Sequence, residues 1–159
     1  MLDARKSSIY RNRPRFSVFG HGSYTYTPYK VAISGLHKEP AFRLVAPIAE
    51  HPVVLDDTCY FLPFDDATEA ALTWAIRTSR ASTDLIQSLV FWDAKRPINK
   101  RILSRIELFK LPFDQLDVVE AAAKEAARMG IPFDERRVHG FFDQAGPRTA
   151  PFLFGGAAS

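Results

Sequence analysis

The sequence predicts an α+β fold, a short antiparallel β-meander in the N-terminal half followed by packed helices. Three observations carry that expectation. Short apolar or alternating runs, each bounded by Gly, Pro or Asp, crowd residues 16–62. From residue 65 onward the apolar positions recur at helical spacing instead. No repeat separates the halves, and 159 residues are enough for one domain with a proper core. The expected organisation is a basic arm over 1–15, a single α+β domain over 16–146 and a loose tail over 147–159.

The arm carries Arg5, Lys6, Arg11, Arg13 and Arg15 among Ser7, Ser8 and Tyr10, and shows no periodicity before Phe16. Segments of this kind order on a polyanion; the plain alternative is a chain-end tail. Residues 16–19 read as a strand ended by Gly20-His21-Gly22, and 23–29 as an aromatic loop in which Pro28 excludes a central strand. Residues 30–34 alternate as a strand, 35–40 form a hairpin-type turn, and 41–46 form the next strand. Residues 53–55 and 58–62 read as two further strands, interrupted by Asp56-Asp57.

The helical half begins where Asp65 or Asp66 can cap residues 67–78, with Glu69 in capping-box position and Ala71, Leu72, Ala75 and Ile76 facing inward. Ser82 or Thr83 would start a second helix reaching about Phe91 through Leu85, Ile86, Leu89 and Val90. Residues 108–113 are a short apolar link that could pair as an edge strand. Asp114 caps the most secure helix, an alanine-rich run to Met129 closed by Gly130, with Leu116, Val119, Ala123 and Ala126 at helical spacing. A short helix over 133–144 starts at Asp134, and the remaining Pro, Gly and Ala describe the tail.

Composition excludes several classes. Apolar content of 47% and charge of 25% are ordinary for a soluble globular protein. No stretch approaches the roughly 18–20 apolar residues of a membrane span, and no secretory signal opens the chain. Cys59 is the single cysteine, so an internal disulfide is impossible, and its apolar strand suits a core thiol before a reactive one. The expected setting is reducing and cytoplasmic. The net charge of +3 decides nothing, but its distribution is informative. Residues 1–43 hold eight Lys/Arg against two acids, 44–93 hold two against eight, and 94–110 hold six against one. Two basic segments that fold together would make an electropositive side; two separately solvated faces are the bland alternative.

The second basic segment is the stretch 89–105, LVFWDAKRPINKRILSR. An apolar run leads into Asp93-Ala94-Lys95-Arg96, a polar turn because Pro97 pushes Arg96 out of the α region. Pro97 suits the first turn of a helix over 98–106, in which Ile98, Ile102 and Ile106 share an inner stripe beside Leu103. Lys100, Arg101 and Arg105 then fall outside. The product is an anchored elbow with a cationic face, and phosphate is the partner it suggests. Trp92 reads as a core anchor more readily than as a stacking platform.

FWDAKRPINKRIL, residues 91–103, resembles a block near the C-terminus of adenine-specific DNA methyltransferases of restriction–modification systems. Residues 4–44, ARKSSIYRNRPRFSVFGHGSYTYTPYKVAISGLHKEPAFRL, and residues 53–79, VVLDDTCYFLPFDDATEAALTWAIRTS, resemble the same family in the family's order. The resemblance implies a target recognition domain, the part that follows the catalytic domain and reads duplex DNA. Its catalytic counterpart needs a Phe-x-Gly-x-Gly-like loop for S-adenosylmethionine and an Asn/Asp-Pro-Pro-Tyr/Phe loop that grips the extruded adenine. Neither occurs here: Phe19-Gly20-His21-Gly22 has the wrong glycine spacing, and no Pro-Pro pair exists. No cofactor is therefore expected in this chain, and S-adenosylmethionine is expected only in a separate catalytic domain.

No other active-site pattern competes. His21, His37, His51 and His139 have no zinc spacing, Asp65-Asp66 is a helix cap before it is a metal site, and Asp56-Asp57 a turn. No Walker loop, Rossmann fingerprint or Gly-x-Ser-x-Gly occurs. What remains is a binding surface. His21, Ser23, Tyr24, Thr25, Tyr26 and Lys30 mix groups suited to base edges and backbone; the alternative is a structural loop whose tyrosines pack over the sheet. Lys95, Arg96, Lys100 and Arg101 suit phosphates, with a solvated helix face as the alternative. With Arg5, Lys6, Tyr10, Arg13 and Arg15 of the arm, these residues are expected to converge on one side wide enough for a double helix. The competing reading keeps the fold but gives the basic faces to an acidic partner subunit.

Overall fold

The computed structural model describes residues 22–91, 93–94, 97–107, 110–143 and the backbone of 153–154. The basic arm, the expected strand over 16–19, His21, Trp92, Lys95 and Arg96 lie outside the described residues.

The class is the expected α+β. A 3-10 turn at Ser23–Tyr26 leads into β1 (Tyr29–Ser34), then β2 (Arg43–Val45) and β3 (Cys59–Phe64). The helices follow: α1 (Ala67–Thr78), α2 (Arg80–Leu89), α3 (Lys100–Leu103), α4 (Gln115–Met129) and α5 (Glu135–Asp143), before a short strand β4 (Leu153–Phe154). All pairings are antiparallel in the order β2-β1-β3-β4. One step departs from a simple meander: after β2 the chain crosses to the far side of β1, so β1 is central. The tail also departs from a loose end where it is described, since Tyr60 pairs with Phe154 and Phe61 with Leu153. Residues 53–55 are not a strand. Pro52 takes a donor from the segment, and Asp56 Oδ1 accepts from Thr58 N at 2.9 Å and Thr58 Oγ1 at 2.6 Å, turning the chain before β3 begins.

α1 is the centre of the packing, in contact with β1, β2 and β3 of the sheet and with α2, α4 and α5. Asp66 caps it by accepting from Glu69 N at 2.9 Å. Its Ala70, Ala71, Leu72, Ala75 and Ile76 are buried and meet Val118, Ala122 and Ala126 of α4 in one core. The alanines let the two helix axes approach closely. The buried row of α4 is Val118, Ala122 and Ala126, so Ala126 of the expected row is inside and Val119 packs at the core's edge, but Leu116 is 80% exposed. Asp114 accepts from Leu116 N and Asp117 N, and Gly130 closes the helix at φ 66°, the left-handed conformation that favours glycine. Thr68 Oγ1 accepts from Asp134 N at 2.9 Å and Arg137 pairs with Asp66 at 3.2 Å, which ties α5 to the start of α1. α2 starts earlier than expected because Ser79, rather than Ser82 or Thr83, provides the cap. Arg77 is buried on α1 with its guanidinium carbon 6.0 Å from the Phe42 ring centre, and burial pushes its pKa down to about 10.

Candidate nucleic-acid interface

The register of β1 defines two ends of the sheet. At one, Tyr29 pairs with Phe64 and Lys30 with Val45; at the other, Ser34 pairs with Cys59. Six residues at about 3.3 Å each separate the ends by roughly 16 Å. The elbow belongs to the Ser34 end, and the aromatic loop enters at the Tyr29 end.

The elbow is built on aliphatic burial. Ile98 and Leu103 are fully buried and Ile106 is 3% exposed, all three in the core shared with the helices. Ile102 is only partly buried, because the helix is one turn long rather than running over 98–106. Asn99 begins it, accepting from Ile102 N at 3.1 Å, so Pro97 precedes the cap instead of occupying the first turn. The Ile98 carbonyl approaches Gly35 so closely that a β-carbon there would lie 3.2 Å from it and 2.8 Å from the Tyr60 ring. A side chain at this position would force the Tyr60 ring to shift and crowd the contact between the sheet end and the elbow. Lys100, Arg101 and Arg105 are exposed and form no ion pair among the described residues. Several other exposed cations are paired, Arg80 with Asp84, Lys110 with Glu107, Arg128 with Glu125, Arg136 with Asp134 and Arg137 with Asp66, whereas Lys38, Arg43 and Lys124 are exposed without an ion pair among the described residues but do not cluster in sequence as the elbow cations do.

The aromatic loop has a different character. β1 is buried on both faces. Val31 and Ile33 join the helix-side core, while Lys30 and Ala32 lie on the outer face beside Phe61. The loop supplies part of the cover for that face. Tyr24 sits 6.1 Å ring to ring from Phe61, and Thr25 is 1% exposed, its Oγ1 accepting from Gly22 N at 3.2 Å. Lys30 is wholly buried: its Nζ donates to the Thr27 carbonyl at 2.6 Å and lies 5.9 Å from the Phe61 ring centre. Burial lowers its pKa. Thr25 and Lys30 therefore hold the loop down instead of presenting polar atoms outward, as the sequence reading had them do. Ser23 and Tyr26 remain exposed, Tyr26 by 58%.

Of the residues expected to converge on one side, the arm, His21, Lys95 and Arg96 lie outside the described residues, and the described elbow and loop stand apart. Lys100 and Arg101 lie on α3 with Arg105 two residues beyond its end, and Ser23, Tyr24, Thr25 and Tyr26 form the turn that leads into β1, which carries Lys30. The two groups are anchored on different layers of the sheet and at different ends of β1. The run Lys30-Val31-Ala32-Ile33 carried the signal for this. It is closer to a continuously buried strand than to a half-exposed alternating one, so its outer face needed covering.

A third feature joins the Tyr29 end and was not anticipated. Three residues after Val45 the chain makes a two-residue hairpin, in which Ile48 and His51 exchange backbone hydrogen bonds of 3.0 Å each way. Its central residues, Ala49 at φ 48° and Glu50 at φ 66°, are both left-handed without being glycine. That conformation costs roughly 1–2 kcal/mol per residue. His51 Nδ1 donates to the Ala49 carbonyl at 2.7 Å, and Pro47 and Pro52 bracket the turn. At its base Ile48 is 72% exposed. The proline bracket was the available signal, but no glycine or asparagine marked a left-handed turn.

Among the described residues there is no group of three or more His, Cys, Asp or Glu that could hold a metal ion. No helix of the described residues is long and apolar enough to cross a membrane. Cys59 is half-buried, and burial pushes its thiol pKa up.

The chain is 52% identical over 108 residues to the Type II methyltransferase M.NspV of Nostoc sp., a match that covers 68% of this chain and 22% of that protein. The chain is thus related to a type II methyltransferase and corresponds to about a fifth of its length. No protein-family model and no solved structure matches it.

Proposed function

Starting from that relationship, we propose that the chain is the DNA-reading part of an adenine-specific DNA methyltransferase or restriction–modification enzyme. It docks on duplex DNA and reads a target sequence. Methyl transfer and S-adenosylmethionine belong to a separate catalytic domain or subunit, for which this chain has no residues. The observation that carries the reading is the elbow: three exposed cations, Lys100, Arg101 and Arg105, that no described carboxylate neutralises, on a short helix fixed by buried Ile98 and Leu103. An ammonium or guanidinium held in place but left without a carboxylate is suited to a phosphate. Lys95 and Arg96, together with Arg5, Lys6, Arg13 and Arg15, extend the cationic contribution on the sequence alone, with Tyr10 among them as a hydrogen-bonding aromatic.

Base reading falls to the Tyr29 end, where Ser23 and Tyr26 are exposed. His21 belongs with them by sequence, while Tyr24, Thr25 and Lys30 position the loop.

Fluorescence anisotropy with the full chain and a panel of labelled duplexes tests this. Affinity should fall steeply with salt and differ between sequences. The double charge reversal Lys100→Glu with Arg101→Glu should weaken binding to every duplex by at least about tenfold and reduce the salt slope by about 2, near 0.9 per phosphate lost. Tyr26→Ala should instead change which duplex is preferred. A chain that binds no duplex, or binds with no salt dependence, ends the reading in favour of an acidic protein partner.

A further inference from the structure

α2 is held to the protein by one face. Ile86 is wholly buried, Leu85 packs at the core's edge, and the helix touches α1 and α3. The other face is exposed at Arg80, Asp84, Gln87 and Ser88, spaced i, i+4, i+7 and i+8. Three of these four are engaged locally. Arg80 and Asp84 pair at 3.6 Å, and the Ser88 hydroxyl donates to the Leu85 carbonyl at 2.7 Å. Gln87 is different: its amide makes no hydrogen bond among the described residues. Two residues past the helix, Phe91 is 85% exposed.

The charge around this face selects its partner. Residues 80–105 hold six Lys/Arg against two carboxylates, Asp84 and Asp93, and Asp84 is the one paired with Arg80. Lys100 and Arg101 stand on α3, which α2 touches, and with Arg105 they form no ion pair among the described residues. A stretch so strongly cationic favours a polyanion over a neutral or acid-seeking surface. Size agrees with a duplex. Ten residues make a helix about 15 Å long and 10–12 Å across, which a major groove about 12 Å wide admits.

We propose that α2 lies in the major groove of duplex DNA and that Gln87 reads an adenine there, while the elbow cations hold the flanking phosphates. This deepens the DNA-reading proposal and rests on it. It adds a second reading element, beside the phosphate contacts, to the loop that carries Tyr26. An uncommitted glutamine amide donates to adenine N7 and accepts from the N6 amino group, a pattern that adenine alone presents in that groove. The exposed Phe91 ring supplies apolar surface of the kind that packs on a thymine methyl.

The test uses the full chain and a duplex enriched for binding from a randomised pool. Each adenine in turn is replaced by 7-deazaadenine, which lacks the N7 acceptor and still pairs with thymine. At one position the natural chain should lose about tenfold in affinity. Gln87→Ala should bind the unmodified duplex about tenfold more weakly with its salt slope unchanged, and 7-deazaadenine at that position should cost it nothing further. Circular dichroism should find the variant folded, because the side chain is exposed. An enriched site without adenine overturns the proposal and leaves the DNA reading intact. So does a Gln87→Ala variant that keeps every 7-deazaadenine penalty, or one whose loss comes with a lower salt slope, which marks a phosphate contact. Absence of binding to every duplex overturns both readings.

Discussion

The two ends of the sheet solve opposite problems with the same residue type. Ile98 at the elbow end is fully buried, and Ile48 at the hairpin end is 72% exposed. Around Ile98 the backbone is relaxed: Asn99 caps the short helix, Gly35 admits a close approach, and the cations stand on an apolar footing. Around Ile48 the backbone is strained and the side chain meets water. The difference teaches where each end's shape comes from. The elbow is positioned by the core, so its geometry is inseparable from global stability. The hairpin is positioned by its own local bonds, so it can be altered with little effect on the rest of the fold.

The largest expected effect tests that separation directly. Ile98→Ala should lower unfolding free energy by about 2–5 kcal/mol, the range for deleting a buried aliphatic side chain. Ile48→Ala should change it by no more than about 0.5 kcal/mol, as for a surface substitution. Urea denaturation of both variants measures the contrast. Comparable losses in the two would mean that the hairpin is integrated into the core, and that its apolar residue is structural.

The next effect has the opposite sign. Glu50→Gly should stabilise the protein by up to about 1 kcal/mol, because glycine adopts positive φ without the steric penalty that a side chain meets there, less the extra freedom it gives the unfolded chain. A loss of stability in the same denaturation experiment would show that the Glu50 side chain makes an interaction outweighing its backbone cost. Gain of stability by a single substitution at an exposed turn would mark the strain as dispensable for folding.

Much of the fold was legible because local signals and burial agreed. Asp66, Glu69 and the following alanines announced α1 to the residue, and Asp114 with Gly130 did the same for α4. The inner face of α4 was placed only in part: Ala126 is buried as expected, but Leu116 is exposed and Val118 and Ala122 take the inner positions, since alanines carry little contrast. The cationic elbow was visible as a charge cluster behind an isoleucine stripe. The roles within the aromatic loop were not. Lys30 reads as a surface cation by type, and only the two-sided burial of β1 puts it inside. The hairpin escaped notice for a related reason. Its turn is made by Ala and Glu, whose sequence preferences point away from the conformation they adopt.

Lys30 supplies the smallest expected effect and the sharpest check on the division between scaffold and contact. Its ammonium is removed from water beside Phe61, and burial holds its pKa below the ordinary 10.5. The folded state therefore releases this proton at lower pH than the unfolded chain does. Between the lowered value and 10.5 the unfolded state binds more protons, so this group makes stability rise with pH across that window. Below the window the buried charge is a standing cost, offset in part by the bond to the Thr27 carbonyl. Lys30→Met removes both the cost and the bond, so at neutral pH the variant should differ from the natural chain by less than about 1 kcal/mol, the scale of one hydrogen bond. As pH climbs through the window the natural chain should gain on the variant. Duplex binding at neutral pH should be the same for both, because the ammonium points into the protein. A variant that folds normally and loses salt-sensitive binding would instead place Lys30 among the phosphate contacts, which requires the loop to lift from the sheet when DNA arrives.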